Sequence, residues 1–247
     1  MMDASPFSYV SSTSPHLNIY CEPPEFLDEE KRPPFEPIAF YGSLPSLDSE
    51  KGGDRGGRTS FGPGDGRRFK LYVSFGTVIW RYYAPDALRA LMALAAAIGE
   101  RDDARAIISL GHAEIGRETV AALTRPNVSV KSYVDQWRVL READAFVTHH
   151  GMNSTHEAIF HRVPMISYPF FWDQPELADL CRKLGLAVPL ADLPRGKVDE
   201  DRISAALKRL VDGRESMLAA LSRAREWEQA VMDGRPAVHR RIMELIA

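Results

Sequence analysis

Residues 144–157 read DAFVTHHGMNSTHE, and this stretch predicts a strand, a tight turn and the start of a helix. Its first five residues form a short, largely apolar run with aromatic and β-branched side chains, which is typical of a buried parallel strand. The run stops at His149-His150-Gly151, where glycine lets the backbone turn at little cost because it lacks a Cβ. The stretch therefore predicts the strand–turn–helix unit of an α/β protein.

The first turn of the predicted helix is suited to hold a diphosphate. Asn153, Ser154 and Thr155 offer N-cap side chains to a helix that runs on through Glu157. The N–H groups of that turn are unpaired and carry a partial positive charge. Each hydrogen bond to a charged group contributes about 1.5–3 kcal/mol, against roughly 0.3–1 kcal/mol for the helix dipole, so side chains and amides should provide most of the affinity. The alternative is an ordinary capped helix, since strand–glycine–helix turns are common in doubly wound sheets.

A second loop is predicted at the same edge of the sheet. The segment Pro164–Pro169 is predicted to form the next strand, and it leads into a loop, 170–174, that reads FFWDQ. Ligands of open α/β sheets bind at the carboxyl ends of the strands. Both loops are therefore expected to face one crevice.

Strands and helices alternate along the chain from Lys70 onward. Further strands are predicted at Lys70–Ser74, Ala106–Leu110, Val128–Val130 and Leu186–Pro189. Helices are predicted from Pro85, around Val139-Leu140, over Pro175–Leu184, and from about Asp201, Ser216 and Pro236. The alternation predicts an α/β fold, a doubly wound parallel sheet of the Rossmann-like kind with right-handed crossovers.

The ordered run from Tyr133 to Gln174 resembles the donor-binding signature of the UDP-glycosyltransferases, which are inverting enzymes of the two-domain GT-B fold. The resemblance implies a single GT-B donor-binding domain that takes part in transfer of a hexose from a UDP-sugar to an acceptor hydroxyl. It also implies that Tyr133, Val134 and Gln136 lie where the family receives the uracil. Tyr133 would be the stacking residue, where the plant members usually have tryptophan.

The same resemblance implies roles for the turn and for the helix that follows it. His149, Asn153 and Ser154 would contact the diphosphate beside Gly151. Glu157 would accept hydrogen bonds from the ribose hydroxyls. The amides and side chains of this turn would then stabilise the departing diphosphate.

Two further loops are implied to lie near the sugar. Asp173 and Gln174 would bind its hydroxyls. Ser74, Gly76 and Thr77 belong to a segment that resembles the opening strand and loop of the family's carboxy-terminal domain, close to the phosphates and the sugar. Taken alone, that segment is only a strand that ends in a glycine turn.

Three positions depart from the family pattern. Met152 stands where plant members have tryptophan, and His161-Arg162 replaces a small residue and a glycine that usually precede the next strand. Arg162 places a bulky cation in a tight corner between helix and strand. Neither change removes a group that is implied to bind the donor.

The composition limits the class of protein. With 247 residues, 45% of them apolar and 26% charged, the chain can form one sizeable core or two small ones. A net charge of -3 argues against broad nucleic-acid binding. The sequence lacks both a long apolar run and the features of a signal peptide, so we expect no transmembrane segment. Cys21 and Cys181 are expected to be free thiols of a cytoplasmic protein.

No cofactor and no metal are expected besides the UDP-sugar substrate. His149, His150, His156 and His161 are close in sequence, but no acidic or thiol partner completes a recognisable zinc pattern. The glycine-rich range 46–69 lacks the strand–Gly–Lys–Ser/Thr arrangement of a phosphate-binding loop. Its composition predicts a flexible linker instead.

The resemblance divides the chain into three ranges. Residues 1–45 are predicted to be the end of an acceptor domain with its crossover, 46–69 the linker, and 70–247 the donor-binding domain. We expect nearly all of the acceptor domain to lie outside this chain. The family's catalytic base is a histidine near the start of that domain, and His16 does not occur in that context, so the catalytic residues stay unknown.

Several functions remain open at this point. The chain can be the donor half of a glycosyltransferase that needs an acceptor-domain subunit on another polypeptide or a homo-oligomer. It can also be a truncated, inactive nucleotide-binding module, or a structural or interaction protein on a related scaffold. A nucleotide-sugar 2-epimerase is the rival enzyme class because it shares the architecture. The acceptor, the sugar and the choice of UDP over TDP are not decided by these residues.

Overall fold

The computed structural model describes residues 13–44, 61 and 69–247, which belong to two compact units. The first unit takes the chain up to Leu44 together with Glu226–Ala247, and the second ends at Arg225. The sequence places residues 226–247 in the donor-binding range, whereas the structure places them with the amino-terminal segment. The predicted linker lies almost wholly outside the described residues, and the function assigned to each range stays a prediction.

Strands and helices alternate through most of the described chain. The strands are β1 (Asn18–Tyr20), β2 (Ile38–Phe40), β3 (Phe69–Ser74), β4 (Ala104–Ser109), β5 (Val128–Lys131), β6 (Ala145–Thr148), β7 (Met165–Ser167) and β8 (Ala187–Pro189). The α-helices are α1 (Ile79–Tyr82), α2 (Ala84–Gly99), α3 (Arg117–Leu123), α4 (Gln136–Leu140), α5 (Met152–Phe160), α6 (Gln174–Lys183), α7 (Glu200–Asp212) and α8 (Arg214–Ile246). Short 3-10 helices occupy Pro24–Phe26, Glu29–Lys31 and Pro33–Phe35.

The six strands of the second unit form one parallel sheet in the order β5-β4-β3-β6-β7-β8. This order confirms the predicted doubly wound, Rossmann-like sheet. The strands are nearly continuous in apolar residues, because helices cover both faces of such a sheet. Leu71 and Val73 on β3 are buried, as are Ala145 and Val147 on β6.

The helix α2 covers the sheet with an apolar face. Its buried residues include Leu91, Leu94, Ala95 and Ile98, which recur at helical spacing. The short helices α1 and α3 were not predicted from the sequence. Because α1 has only four residues, it carries no periodic signal that could identify it.

The carboxy-terminal helix differs from its prediction. Two helices were expected, beginning near Ser216 and Pro236, but α8 runs through Pro236 without a break. Proline removes one hydrogen bond from a helix interior. Arg235 donates to the carbonyls of Tyr41 and Leu44 at 2.8 and 2.7 Å, and these bonds fix this part of α8 within the first unit.

Candidate functional site

The strands β3 and β6 are neighbours at the centre of the sheet, and there the strand order changes direction. Their last residues, Ser74 and Thr148, stand opposite each other in the register. The loop after β3 and the loop after β6 therefore leave the sheet side by side. Such a switch point, at the carboxyl ends of parallel strands, is where open α/β sheets bind their ligands.

The imidazole of His149 fills the space between these two loops. A Cβ added to Gly151 would lie 2.5 Å from its Nε2, and one added to Gly76 would lie 2.8 Å from its Cε1. Gly76 also has a φ of +69°, a conformation that favours glycine. Both glycines are thus required by close packing against one side chain, which is 8% exposed.

The turn after β6 differs from its predicted form. The residue in the left-handed region is His150, with a φ of 59°, and not Gly151, whose φ is -64°. His150 is fully buried, and its Nε2 and Nδ1 lie 2.7 Å from the Ser167 hydroxyl and 3.2 Å from the Thr155 hydroxyl. These two bonds join the turn to β7 and α5 and stabilise the strained backbone. Gly151 is needed for the space beside His149 rather than for its dihedral angles.

The start of α5 is also corrected by the structure. Gly151 is the N-cap, and no side chain caps the helix there. Asn153, Ser154 and Thr155, which were predicted as N-cap candidates, lie inside the first turn. Asn153 is exposed, whereas the buried Thr155 hydroxyl donates to the Gly151 carbonyl at 3.2 Å.

The two histidines of the turn are neutral at physiological pH. Burial lowers the pKa of His149 to about 4, opposed by a hydrogen bond with the Ser74 backbone. Burial and the neighbouring His149 lower the pKa of His150 to about 3. The Nδ1 atom of His149 is buried and has no hydrogen-bond partner in the described part of the chain. A ligand at this turn would therefore meet an uncharged imidazole.

A hydrogen-bonded cluster joins α4 to α5 next to the turn. The Gln136 amide nitrogen donates to Glu157 at 2.8 Å and to the Ser154 hydroxyl at 3.1 Å. Burial raises the pKa of Glu157, the bond from Gln136 lowers it, and the charge of Asp135 raises it further. The structure thus brings together three of the predicted site residues in one polar cluster.

Tyr133, the predicted stacking residue, follows β5 and is 54% exposed. Its ring is stacked on His112, with centroids 4.4 Å apart and planes within 14°. His112 has a φ of 65°, which is unusual for a non-glycine residue. His112 was missed by the sequence analysis, although its position after β4 places it at the same edge as the other loops. Val134 is buried, so its side chain takes part in packing.

The loop after β7 holds Asp173 and Gln174 at this edge. Gln174 is buried, and its Oε1 accepts from the backbone N–H groups of Phe170 and Phe171 at 3.0 and 3.3 Å. Its amide nitrogen is therefore the group left to donate to a ligand. Asp173 is exposed, as is Thr77 in the loop after β3. Trp172, beside Asp173, has a φ of 57°.

The predicted site residues thus lie at or after the carboxyl ends of four strands, β3, β5, β6 and β7. Among the described residues, no group of His, Cys, Asp and Glu side chains is arranged to hold a metal ion. None of the helices that the structure describes is both long and apolar enough to cross a bilayer.

Comparisons with known proteins identify related sequences and structures. The profile of the family described as UDP-glucoronosyl and UDP-glucosyl transferase matches residues 65–226. UDP-glucuronosyltransferase 3A2 of Mus musculus is 33% identical over 101 residues, which cover 39% of this chain and 18% of that protein. Among solved structures, the calicheamicin glycosyltransferase CalG4 has a TM-score of 0.72 at 19% identity, over 99% of this chain and 58% of that one.

A second solved structure, the glycotransferase of kitacinnamycin, has a TM-score of 0.68 at 24% identity, over 92% of this chain and 55% of that one. At these identities the likeness establishes the fold, which is that of the GT-B glycosyltransferases. The chain spans a little over half the length of these two solved chains and a smaller part of the mouse protein.

Proposed function

Because the chain belongs to the UDP-glucoronosyl and UDP-glucosyl transferase family, we propose that its sheet edge binds a UDP-sugar as the donor of an inverting hexosyl transfer. The observation that carries this proposal is the position of the Gln136, Ser154 and Glu157 cluster. It adjoins the switch-point loops, where a nucleotide would meet both a helix N-terminus and a carboxylate.

Each part of the donor has a group to receive it. The uracil stacks on Tyr133, whose ring is exposed and backed by His112. The ribose hydroxyls donate to Glu157. The diphosphate accepts from the first turn of α5 and from His149, which is held between two glycines.

The sugar is held by the loop after β7. Asp173 accepts from its hydroxyls, and the amide nitrogen of Gln174 donates to them. During transfer, the acceptor oxygen attacks the anomeric carbon on the face opposite the diphosphate, and the bond from that carbon to the diphosphate breaks. The N–H groups and hydroxyls around α5 then stabilise the negative charge that the diphosphate gains. We propose that this step needs no metal ion.

The acceptor proton must go to a base, and we propose that another chain supplies it. His16, the histidine closest to the amino terminus, is exposed, and we assign it no role in this step. On this proposal the donor half acts with an acceptor-domain subunit or a second copy of the chain. The alternative is a truncated module that binds nucleotide without turnover. Release of UDP from UDP-glucose after an acceptor-domain chain is added favours the donor half that acts with a partner. The absence of release with any such chain favours the truncated module.

The donor site is tested by calorimetric titration of the purified chain with UDP, TDP and UDP-glucose. Glu157→Ala should weaken UDP binding by about 1–3 kcal/mol. Glu100→Ala serves as the matched control, because Glu100 is exposed and follows α2, at the amino-terminal approach to β4. Chelation with EDTA should leave binding unchanged. Absence of binding in the wild-type chain, or equal binding by Glu157→Ala, would contradict the proposal.

We also propose a cytoplasmic location. Neither Cys21, which is exposed, nor Cys181, which is buried, forms a disulfide, as suits a reducing compartment. Fractionation of the native cells with an antibody against the chain tests this, and recovery in a secreted or membrane fraction would contradict it.

A further inference from the structure

A buried tyrosine that the sequence did not place in the site is hydrogen-bonded to it. Tyr72 on β3 is 1% exposed and stacks on Phe146, with ring centroids 4.8 Å apart. Its hydroxyl donates to Oε1 of Gln136 at 3.3 Å. The nitrogen of the same amide donates to Glu157 and Ser154. Gln136 is therefore held at both ends of its amide group.

The hydroxyl of Tyr72 has two serine side chains near it. Burial raises the pKa of Tyr72, and the neighbouring hydroxyls of Ser74 and Ser109 oppose that rise. The Ser74 hydroxyl also accepts from the Gly76 N–H at 3.3 Å, so its own proton is available to the tyrosine. The phenol proton is then directed at Gln136.

The direction of these bonds decides which end of the amide faces Glu157. A primary amide accepts at its oxygen and donates at its nitrogen. If the Gln136 amide were turned over, its oxygen would face the Glu157 carboxylate, and two acceptors would be in contact. A hydroxyl that donates to the amide oxygen favours the other orientation. Tyr72 thus stabilises the arrangement in which Glu157 receives a hydrogen bond.

We propose that Tyr72 is a positioning residue of the donor site, whose hydroxyl orients the Gln136 amide and so holds the Glu157 carboxyl in place for the ribose hydroxyls. The ribose role of Glu157 rests on the proposed function. The orientation of the amide is a property of the protein without nucleotide. Tyr72 acts through Gln136 and does not touch the donor.

The first test is made without ligand. Tyr72→Phe removes the hydroxyl and keeps the ring that stacks on Phe146. Tyr168→Phe is the matched control, because Tyr168 is also buried and its hydroxyl donates to the Gly196 carbonyl at 3.0 Å. The side-chain amide resonances of Gln136 are followed in ¹⁵N-labelled protein and assigned with a Gln136→Ala variant. They should shift in Tyr72→Phe and stay in place in Tyr168→Phe. Resonances that do not move in Tyr72→Phe would overturn the inference.

The second test measures recognition of the ribose, by calorimetry with UDP and 2′-deoxy-UDP. Loss of one oriented hydrogen bond should lower the UDP affinity of Tyr72→Phe by about tenfold or less. The preference for UDP over 2′-deoxy-UDP should shrink in this variant and persist in Tyr168→Phe. A preference equal to that of the wild type would overturn the positioning role. If the wild-type chain bound no nucleotide, the proposed function would fail, while the Gln136 resonances would still decide whether Tyr72 orients the amide.

Discussion

The Nε2 atom of His149 lies 2.5 Å from the point that a Cβ on Gly151 would occupy. A side chain at this position must displace the imidazole or shift the first turn of α5. Gly116 is the N-cap of α3 and has nearly the same backbone conformation, with φ and ψ of -60° and 148° against -64° and 141°. The space around Gly116 is open. Substitutions at Gly151 and Gly116, compared with each other, therefore separate the effect of side-chain packing from that of backbone conformation.

Gly151→Ala should be much more costly than Gly116→Ala. Overpacking should lower the free energy of unfolding by about 1–3 kcal/mol at Gly151. At Gly116, where an alanine N-cap is merely less favourable than glycine, we expect a loss of under about 1 kcal/mol. Urea denaturation measures both. Calorimetry should also show weaker UDP binding for Gly151→Ala alone. Equal losses of stability in the two variants would contradict the packing argument.

Arg162→Gly should stabilise the protein. Arg162 lies just after the end of α5 and has a φ of 56°. Its N–H donates to the Ile159 carbonyl, and the Val163 N–H donates to the Ala158 carbonyl, as in a Schellman motif. The left-handed conformation costs a non-glycine residue about 1–2 kcal/mol. Glycine also raises the entropy of the unfolded chain, which offsets about 0.4–1 kcal/mol of this gain. The free energy of unfolding should therefore rise by about 0.5–1 kcal/mol in total.

A matched variant tests the same argument with the opposite sign. Gly185 ends α6 through the same pair of bonds with a φ of 74°, and an added Cβ would come no closer than 3.7 Å to its nearest neighbour. Gly185→Ala should therefore lose about 0.5–1 kcal/mol, because backbone strain costs about 1–2 kcal/mol and the lower entropy of the unfolded chain offsets about 0.4–1 kcal/mol of it. Urea midpoints decide both cases. A less stable Arg162→Gly protein would mean that the arginine side chain contributes more than its backbone costs.

The sheet could be predicted from the sequence because each strand has its own local signal. The apolar run before His149 and the helical spacing of Leu91 and Ile98 are properties of adjacent residues. Parallel pairing then follows from their alternation. The position of the site also follows, since the carboxyl ends of these strands share one edge.

The internal geometry of the turn could not be predicted, because it depends on contacts between distant residues. The sequence suggests that Gly151 adopts the unusual backbone conformation, but His150 does so, since Ser167 on another strand holds its ring. Tyr72 and His112 carry no motif of their own. Their roles depend on Gln136 and Tyr133, which become their neighbours only in the folded sheet.

Stability should fall as the pH drops from about 6.5 to 4. Burial lowers the pKa of His149 to about 4 and that of His150 to about 3, below the value of 6.5 expected in the unfolded chain. In this range the unfolded state binds more protons, so the free energy of unfolding decreases with decreasing pH and is unaffected by these groups above 6.5. The loss should be on the order of 3 kcal/mol for each of the two histidines.

Urea denaturation between pH 7.5 and 4.5 measures this effect. His149→Gln and His150→Gln should each reduce the dependence on pH, even though either change can lower stability at pH 7.5. His16→Gln is the control, because His16 is exposed and lies outside the turn. A His150→Gln protein with the wild-type pH dependence would show that His150 is not buried as a neutral group.

Glu157 and Asp173 should separate recognition of the nucleotide from recognition of the sugar. Glu157 lies in the half-buried polar cluster with Gln136 and Ser154, whereas Asp173 lies exposed in the loop after β7. Asn153→Ala, Ser154→Ala and Glu157→Ala should each weaken UDP binding by about 1–3 kcal/mol, the range for hydrogen bonds to charged or buried groups. Asp173→Ala should leave UDP affinity nearly unchanged and weaken UDP-glucose. Calorimetry with both ligands measures the difference. If Asp173→Ala weakened UDP binding as much as Glu157→Ala does, the assignment of Glu157 to the nucleotide and Asp173 to the sugar would be wrong.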